Sequence, residues 1–467
     1  MQKRPPVIVI MGHVDHGKTT LLDYIRKTAV AAREAGGITQ AIGAYEADWK
    51  DEKVTFIDTP GHEAFQNMRA YGARVADLAI LIVAADDGVK PQTKEAIQTI
   101  LAAKLPYIVA INKIDKNNAD PARAKSELLQ NGILLEGMGG DVSYQEISAK
   151  TGEGVPELLD LVLLAIEMED LQADTKAFAS GFVMTSRKDP RRGNLVGIVI
   201  KNGSLHSGDA IRTATASGKV KSIEKGSGEK ANVLEPCAPA LIIGFDSLPQ
   251  VGEEFSSDPD KKLEMTAASA AASGPFNEKA VPVVLKADEA ASLEALKGLV
   301  IKSAGSLPIN IVEASVGNIT ENDVKTADAS GAMVVGFRTK IDKAADNLAQ
   351  GKHVSVVTSQ IIYELEKAVT ERLNGVNPAE RRRIEILATF SAKGQEQVIG
   401  GRVVLGPVKN QESFEVMDGD NSLGEGKILN LQSQKKDIAE AVEGTEVGML
   451  VQSAVPVKQG NLLVFKQ

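Results

Sequence analysis

The fold class that the sequence predicts is a mixed α/β and β protein of several domains. Its 467 residues suffice for about three domains, and 43% apolar residues suffice for packed cores. Short apolar runs alternate with stretches of helical period in the first third of the chain, whereas β-rich pieces between turn sequences fill two later regions. We therefore expect a doubly wound parallel sheet, a β-barrel, a small α/β domain, a long connecting helix and a second β-barrel.

The first predicted domain covers residues 1–172. Its apolar runs VIVI, VTFID, LAILIVAA and YIVAINKID are typical of strands that are buried on both faces of a parallel sheet. Helical stretches separate these runs, as the crossover connections between parallel strands require. This domain is therefore predicted to be α/β.

The middle of the chain changes pattern twice. The pieces NLVGIVI, DAIRTAT and KVKSIE, separated by turn sequences, predict a β-barrel over residues 173–257. A polar, alanine-rich stretch is typical of a connector, which we assign to residues 258–280. Residues 281–357 again alternate strand-like and helical segments, which predicts the smaller α/β domain.

The last predicted elements are a helix and a barrel. Apolar residues at helical spacing from Ile361 to Leu373 predict a linking helix over residues 358–378, with Gly375 as its C′ residue. Residues 379–467 return to strand-like pieces, which predicts the second β-barrel.

The composition excludes several classes of protein. The single cysteine, Cys237, excludes an intrachain disulfide and a cysteine-rich zinc site. The first residues hold no apolar signal core and no run approaches the ~18 apolar residues of a membrane helix, so a cytoplasmic protein that binds no membrane is expected. With 53 Lys and Arg against 62 Asp and Glu, the net charge of −9 argues against broad coating of nucleic acid. Nothing in the sequence requires a homo-oligomer, so we expect a monomer.

The strongest motif is a phosphate-binding loop between the first strand and a helix. The stretch GHVDHGKTT contains the pattern GxxxxGK[ST] in the strand–loop–helix context that it requires. Backbone N–H groups and the helix N-terminus would bind phosphate oxygens, Lys18 would reach the β- and γ-phosphates, and Thr19 would ligate Mg²⁺. The candidate nucleotide-binding residues of this loop are Gly12, His13, Val14, Asp15, His16, Gly17, Lys18, Thr19 and Thr20.

Three further motifs follow at the ends of predicted strands. Asp58-Thr59-Pro60-Gly61 offers a carboxylate for Mg²⁺ and a backbone N–H for a γ-phosphate. In Asn112-Lys113-Ile114-Asp115, the Asp115 carboxylate can accept two hydrogen bonds from N1–H and the exocyclic amine of guanine, which adenine does not offer. Ser148-Ala149-Lys150 could close over the base with backbone N–H groups. In this order the motifs predict GTP and GDP as ligands, with Mg²⁺.

These motifs carry a family resemblance. GHVDHGKTT, EAGGITQAIGAY (34–45), DTPGHEAF (58–65), NKID and SAK resemble the translational GTPases, and the second stretch is similar to the bacterial initiation factor two branch. The resemblance covers nearly the whole chain, because SRKDPRRGNLVGIVIKNGSLHSGD, LKADEAASLEAL with VGNITENDV, and GGRVVLGPV resemble the later domains of that branch.

The resemblance implies roles for residues of the switch segments. Thr39 would be the switch threonine that completes the Mg²⁺ shell beside Thr19 and Asp58. Gly61 would sense the γ-phosphate, and His62 would be the catalytic residue that orients the attacking water. The contacts of Thr39 and Gly61 would both be released after GTP hydrolysis.

The resemblance also bears on the residues around this histidine. The ribosome would push the ring of His62 inward, past a gate of Val14 and Ile38. Asp15 is either a ligand of a monovalent cation near the phosphates or a solvated loop carboxylate. His13 and His16 are interpreted as loop-fixing residues rather than metal ligands, because a nucleotide site prefers oxygen ligands for Mg²⁺.

The same resemblance implies that the protein would be a ribosome-dependent GTPase of translation initiation. Its partners would be both ribosomal subunits, ribosomal RNA and formylmethionyl initiator tRNA. The last barrel would hold the acceptor end of that tRNA, and the candidate residues are Arg402, Glu446 and Gly448. Gln432 and Ser433 stand where the family has a Lys-Arg pair, so Arg402 either restores one positive charge or is a surface arginine.

The charge of the last barrel limits how it could bind RNA. Between Ile384 and Gln467 there are 11 acidic and 8 basic residues, a poor electrostatic footprint for duplex RNA. The balance is compatible with gripping a single-stranded, aminoacylated end. The basic run Arg381–Arg383 could contact ribosomal RNA or form a solvated face.

Two other functions remain alternatives. One is a tRNA-delivering GTPase that resembles elongation factor Tu. The other is a GTP-gated scaffold for ribosome assembly that hydrolyses little GTP. The stretch GGITQAIGAY and the order of the later domains argue against the first alternative. Intact His62 and Thr39 argue against the second.

Overall fold

A computed structural model of the chain describes most of its residues and divides them into two compact units. The units are Met1–Lys367 and Ala368–Gln467. The described residues are 1–26, 43–50, 52–226, 228–263, 280–305, 307–374, 382–393, 396–418, 421–433, 436–453 and 455–465.

The N-terminal part of the first unit is a doubly wound α/β fold. Its elements are β1 (Gln2–Lys3), β2 (Val7–Gly12), α1 (Lys18–Arg26), β3 (Gly43–Trp49), β4 (Glu52–Asp58), a 3₁₀ helix (Glu63–Phe65), α2 (Gln66–Val75), β5 (Leu78–Ala84), α3 (Pro91–Ala103), β6 (Tyr107–Asn112), α4 (Pro121–Gln130), β7 (Tyr144–Glu146), α5 (Val155–Met168) and β8 (Gln172–Ala173). The main sheet has the order β3-β4-β2-β5-β6-β7, and every pairing is parallel except that of β3 with β4. β1 pairs with β8 and so joins the two ends of this part of the chain.

The apolar strands form this sheet because helices cover both of its faces. On one face, Leu21 of α1 and Leu158 of α5 pack with Ile8 and Ile80 in a single buried cluster. Helices α2 and α3 contact β2 from the other face. Strands that are buried on both faces read as continuous apolar runs, as β2 and β5 do.

The next part of the first unit is a closed antiparallel barrel. Its strands are β9 (Ser180–Asp189), β10 (Gly193–Asn202), β11 (Leu205–His206), β12 (Ala210–Arg212), β13 (Ser217–Lys225), β14 (Lys230–Ala231), β15 (Val233–Leu234), β16 (Pro239–Phe245) and β17 (Glu254–Ser256). The order β12-β17-β9-β10-β16-β13 closes through pairing of β12 with β13. Closure removes free sheet edges, and the core includes Val196, Ile198, Ile242 and Phe255.

The last sheet of the first unit is small and parallel. Its elements are β18 (Val281–Ala287), α6 (Ala290–Ala304), β19 (Ile309–Val316), α7 (Glu321–Ser330), β20 (Met333–Phe337), α8 (Lys343–Lys352) and β21 (Val356–Ser359). The order is β19-β18-β20-β21, with each pair parallel. Helix α9 (Ile362–Asn374) follows, and its residues Ile362, Leu365, Val369 and Leu373 are fully buried.

The second unit contains a β-barrel. Its strands are β22 (Arg383–Lys393), β23 (Glu396–Leu405), β24 (Val408–Lys409), β25 (Ser413–Asp418), β26 (Asn421–Ser433), β27 (Lys436–Asp437), β28 (Glu440–Ala441), β29 (Glu446–Ser453) and β30 (Leu462–Phe465). The order β25-β30-β22-β23-β29-β26 closes through pairing of β25 with β26. Alternate residues such as Val447, Met449 and Val451 on β29 face its core.

These observations confirm the predicted fold class. The boundaries of the domains remain predictions, because only the division after Lys367 is defined by compactness. The linking helix is shorter than the predicted range 358–378, since Ser359 belongs to β21 and the helix begins at Ile362. Gly375, Arg381 and most of the predicted connector lie outside the described residues. Throughout the described part of the chain, no helix combines the length and apolarity needed to cross a bilayer.

A buried charge cluster joins the first barrel to the parallel sheet. Arg4 donates two hydrogen bonds of 2.7 Å to the Asp77 carboxylate, and Lys201 of β10 donates a third of 2.6 Å. Burial opposes ionisation of Asp77, but these two cations outweigh it and hold the pKa of its carboxyl below the usual value. Cys237 is buried beside Arg4, and its carbonyl accepts a hydrogen bond of 2.7 Å from Thr55.

We predict that Asp77→Ala lowers the free energy of unfolding of this region by about 3–5 kcal/mol, because it leaves two buried cations without their carboxylate. Because the pKa of Asp77 is depressed in the folded chain, its contribution is complete above pH ~4 and is lost as the pH falls through the folded pKa. The difference between variant and parent should therefore shrink in acid. Trp49, the single tryptophan, reports this unfolding by fluorescence.

The matched control is Glu52→Ala, which removes the carboxylate from the exposed ion pair with Lys3. Surface pairs of this kind contribute about 0–1 kcal/mol. Equal losses in the two variants would contradict a special role for the Asp77 cluster.

Candidate functional site

The predicted site residues converge at one edge of the parallel sheet. The phosphate-binding loop leaves the end of β2, Asp58 ends β4, Asn112 ends β6, and the Ser148–Lys150 turn follows β7. Since these strands run parallel, their carboxyl ends open at the same edge, where α/β folds bind ligands.

Close approach to the phosphate-binding loop requires glycine at two positions. Gly17 has φ +91°, and an added Cβ would collide with Asn112 Nδ2. At Gly61 an added Cβ would lie 2.7 Å from Lys18 Nζ and 2.9 Å from Val14 N. The glycine of the Asp58–Gly61 motif therefore lies directly against the lysine and backbone of the phosphate-binding loop.

Lys18 is buried at the centre of this arrangement. Its ammonium donates to the carbonyl oxygens of His13 at 2.6 Å and Gly12 at 3.1 Å. Burial lowers the pKa of Lys18 to about 8, although Asp58 and Asp15 favour its charged form. A phosphate group bound here would compensate for the burial of this cation.

The residues predicted to hold Mg²⁺ present oxygen atoms at one point. Thr19 Oγ1 donates to Asp58 Oδ2 at 3.5 Å, so a hydroxyl and a carboxylate face each other beside the loop. Hydroxyl and carboxylate oxygens fit Mg²⁺, a hard cation. Thr20 is exposed at the next position of α1. Thr39 and Ile38 lie outside the described residues, so the predicted third ligand and the predicted gate of Val14 and Ile38 stay predictions.

Contacts on both ring nitrogens hold His16 in the loop, and the ligand atoms of His13, His16 and Asp87 lie within 4.8 Å of one another, a group that could hold a metal ion. The interpretation of the two histidines as loop-fixing residues rather than metal ligands stays a prediction. His16 is buried, its Nδ1 accepts a hydrogen bond of 3.3 Å from Ala84 N, and its Nε2 lies 3.4 Å from Asp87 Oδ2. Because a backbone N–H can only donate, the contact with Ala84 N favours the neutral tautomer with its proton on Nε2, toward Asp87. Burial lowers the pKa of His16 to about 4, which keeps the ring neutral. His13 stands edge-on to His16, with ring centroids 5.0 Å apart.

The predicted base-binding residues are joined by direct hydrogen bonds. Asn112 Nδ2 donates to the His16 carbonyl at 2.8 Å, and its Oδ1 accepts from Ala149 N at 2.9 Å. Ser148 Oγ donates to Asp115 Oδ1 at 2.8 Å, while the Asp115 side chain stays exposed. These contacts orient one carboxylate at the rim of the site, as reading of a guanine edge requires.

Two further candidate residues, Thr59 and Lys113, contact neighbouring parts of the protein and hold the loops in place. Thr59 Oγ1 donates to the buried Ile10 carbonyl at 2.8 Å, which ties the Asp58–Gly61 motif to β2. Lys113 has φ +67° and its Nζ lies 3.8 Å from Asp86, whereas Lys150 is exposed. Thr59 and Lys113 therefore support the loops in this structure.

His62 lies next to this site at the start of the 3₁₀ helix. Its Nδ1 accepts a hydrogen bond of 3.0 Å from Ala64 N and so caps that helix. Arg69 of α2, itself buried, donates to the carbonyl oxygens of His62 at 2.8 Å and Pro60 at 2.9 Å. Glu95 of α3 anchors the same guanidinium. The backbone on both sides of Gly61 is thus held by one arginine.

Charged residues around His62 shift the pKa of its imidazole in both directions. Burial is the largest influence and lowers the pKa, Glu366 and Glu63 raise it, and Lys302 and Arg69 lower it further. The net effect is a lowered pKa, so the imidazole is neutral at physiological pH.

Sequence reasoning did not identify four residues that this structure places at the site. They are Arg69, Glu95, Tyr363 and Glu366, which contact the Pro60–His62 segment or its anchor. An arginine inside an otherwise apolar helix face was a signal for Arg69, because a buried guanidinium needs several acceptors. Tyr363 and Glu366 lie about 300 residues away in sequence and carry no local signal.

The three candidates for the tRNA acceptor end lie together on the second unit's barrel. Arg402 of β23 is opposite Glu446 of β29, and Arg402 Nη2 donates to Glu446 Oε1 at 2.9 Å. Gly448 pairs with Gly400 on the neighbouring strand, and Phe390 contacts the Gly400 position while remaining 72% exposed. The barrel therefore presents an ion pair and an exposed aromatic ring beside a strip without side chains.

Comparison with sequence families agrees with the fold and with a GTP-binding domain. The family described as "Elongation factor Tu GTP binding domain" matches residues 3–168, "Elongation factor G domain 2" matches residues 178–258, and "Translation-initiation factor 2" matches residues 253–370. Together with the geometry of the sheet edge, these matches define the class of the protein as a translational GTPase.

Individual relatives identify the branch. "Translation initiation factor IF-2" of Rubrobacter xylanophilus is 39% identical over 99% of this chain and 71% of the relative, and that of Fusobacterium nucleatum is 38% identical over 99% and 66%. The crystal structure of GDP-bound aIF5B from Aeropyrum pernix is similar with a TM-score of 0.50 and 25% identity, covering 99% of this chain and 92% of that one. The chain belongs to the translation initiation factor IF-2 family. It spans only 50% of the relative from Pelotomaculum thermopropionicum.

Asp115→Asn tests the base-binding assignment. The amide would present a donor where guanine requires an acceptor, so affinity for GTP should fall and affinity for xanthosine triphosphate should rise. Competition binding with the two nucleotides measures the change. Asp120→Asn serves as control, because Asp120 caps α4 away from Ser148. An unchanged preference for GTP would refute the assignment.

Proposed function

We propose that this chain is a ribosome-dependent GTPase of translation initiation. In this proposal it acts in the cytoplasm, binds or stabilises formylmethionyl initiator tRNA on the small subunit, and promotes subunit joining with GTP hydrolysis. The observation that carries the proposal is the convergence of the phosphate-binding loop, the Asp58–His62 segment and the Asn112–Asp115 segment at one sheet edge, in a member of this family.

The proposed nucleotide site uses each group according to its chemistry. Lys18 and the backbone of the loop would bind the β- and γ-phosphates, and the exposed Asp115 carboxylate would bind guanine. Thr19 and Asp58 would hold Mg²⁺, which, when bound, neutralises charge on the phosphate oxygens. Asp15 is exposed on the same loop with φ +61°, and its carboxylate is the proposed contact for a monovalent cation.

His62 is the proposed catalytic residue. Gly61 and Lys18 lie against each other, so the peptide before His62 borders the place where a γ-phosphate would lie. A neutral imidazole can orient a water through one ring nitrogen, which a protonated ring with two donors cannot do in the same way. We propose that the ribosome moves the ring into that position and that the resulting electrostatic organisation accelerates hydrolysis.

His62→Ala should preserve GTP binding and lower ribosome-stimulated turnover by about 10² or more, because the group that orients the water is lost. Nucleotide affinity by calorimetry and phosphate release with ribosomes measure the two effects. His206→Ala is the control, since His206 is an exposed residue of the first barrel. Undiminished turnover would remove His62 from its proposed role and favour a scaffold that hydrolyses little.

The second unit supports the proposed tRNA contact through shape rather than net charge. Arg402 and Glu446 are both exposed, and Gly448 has no atom within 4 Å of the Cβ that a substitution would add. A side chain at this position would therefore be tolerated by the barrel but would fill the strip next to the ion pair. A larger residue at position 448 should therefore block ligand binding without unfolding the barrel.

The full chain should slow spontaneous hydrolysis of the ester bond in formylmethionyl initiator tRNA, and it should not protect unformylated methionyl-tRNA. Gly448→Leu should abolish this protection. Ser413→Leu adds the same side chain at an exposed position of β25, a strand that does not pair with β29, and should retain protection. Protection that survives Gly448→Leu would place the acceptor end elsewhere.

A further inference from the structure

Both ring nitrogens of His62 face other groups of the protein. Nδ1 accepts a hydrogen bond of 3.0 Å from Ala64 N. Because that backbone group can only donate, the proton of the neutral ring lies on Nε2. Nε2 faces Glu366 of α9, with 3.9 Å between it and Glu366 Oε2. In this arrangement neither nitrogen of the ring is directed at a water beside the phosphate-binding loop.

A tyrosine of the same helix covers the ring. Tyr363 packs edge-to-face on the His62 ring, with ring centroids 4.3 Å apart. Phe65, three residues after His62, also packs edge-on to the imidazole, with centroids 6.0 Å apart. The imidazole is only 8% exposed as a result. Tyr363 itself is also close enough to Asp15 of the phosphate-binding loop for that carboxylate to raise the pKa of its phenol, after the larger effect of burial. Helix α9 therefore begins beside the nucleotide site.

Helix α6 reinforces this contact from the small parallel sheet. Lys302 donates to Glu63 at 2.7 Å and lies 3.9 Å from Glu366, so one cation bridges the neighbour of His62 and the carboxylate that faces it. Glu294 of α6 accepts hydrogen bonds from Asn67 at 2.6 Å and from the Tyr71 hydroxyl at 3.0 Å. The segment after Gly61 is thus attached to α6 and α9 at several points.

We propose that Glu366 and Tyr363 restrain the catalytic histidine: they hold His62 where neither ring nitrogen can reach the attacking water, and hydrolysis requires α9 to move away. This inference rests on the proposed catalytic role of His62. The two residues act through His62, so they are positioning residues. Tyr363 and Glu366 lie in the first two turns of α9, which begins at Ile362.

The strength of the contacts suits a restraint that can be released. Glu366 is 32% exposed, so its attraction to His62 is screened by solvent, and the edge-to-face ring contact is individually weak. A cavity of about 210 Å³ borders the ring and is lined in part by Glu63, Lys302 and Glu366. The packing around the imidazole is therefore incomplete on the side of α6.

Single-turnover GTP hydrolysis without ribosomes tests the restraint in the full chain. Glu366→Ala combined with Tyr363→Ala should raise the rate about three- to tenfold, because one solvent-screened contact between the neutral imidazole and a carboxylate and one aromatic contact are lost. Two conservative single variants of the parent chain serve as comparisons. Tyr363→Phe keeps the aromatic ring and Glu366→Gln keeps an acceptor oxygen, so each should hydrolyse GTP at a rate near that of the parent. Glu371→Ala removes the same charge from an exposed position of α9 and should leave the rate unchanged.

The same measurement in a His62→Ala background separates the restraint from the catalytic role. The rise should vanish there, because the released group is absent. A rise that persists without His62, or a double variant no faster than the parent, would overturn the restraint. If His62→Ala retains full ribosome-stimulated turnover, the proposed function fails first, and the restraint fails with it. ¹⁵N shifts of the imidazole should show the Nε2–H tautomer in the parent chain, and the opposite tautomer would contradict the contact with Ala64 N.

Discussion

The carboxamide of Asn112 is the interaction on which the nucleotide site depends. It is buried at the end of β6, donates to the phosphate-binding loop at His16 and accepts from the loop that carries Ala149. A group with one donor end and one acceptor end can bridge two backbone segments in only one orientation. One side chain therefore links the phosphate-binding and base-binding segments directly, and Gly17 has no room for a Cβ because the amide occupies that space.

A second constraint determines what can move. Arg69 holds the carbonyl oxygens of Pro60 and His62, so the peptides on either side of Gly61 are bound to α2. Glu294 and Lys302 in turn connect α2 and the adjoining 3₁₀ helix to α6. The segment around Gly61 is therefore linked by hydrogen bonds, through Arg69 and α2, to α6.

The sequence was sufficient for the fold class and for bringing the four motifs to one sheet edge, and the reasons are local. Buried parallel strands read as apolar runs such as β5, and the phosphate-binding pattern is a contiguous stretch between a strand and a helix. It was not sufficient for Arg69, Tyr363 or Glu366. Their roles depend on pairs that are distant in sequence, such as Glu366 with His62, and several glutamates of α9 are equivalent by pattern alone. The range of that helix was also wrong at its start, where Ser359 pairs in β21.

The second unit shows how pairing changes the meaning of a charged residue. Arg402 offered two interpretations from sequence, a contact for a tRNA phosphate or a surface arginine. In the structure its guanidinium is bound to Glu446, so a phosphate would have to compete with a carboxylate that is already in place. Both side chains are more than half exposed, so that competition costs little. If this surface binds the tRNA acceptor end as proposed, positive charge alone is therefore a weak basis for its selectivity. The exposed ring of Phe390 beside Gly400 and Gly448 offers apolar and backbone contacts instead, the kind that can distinguish an aminoacyl group from a phosphate.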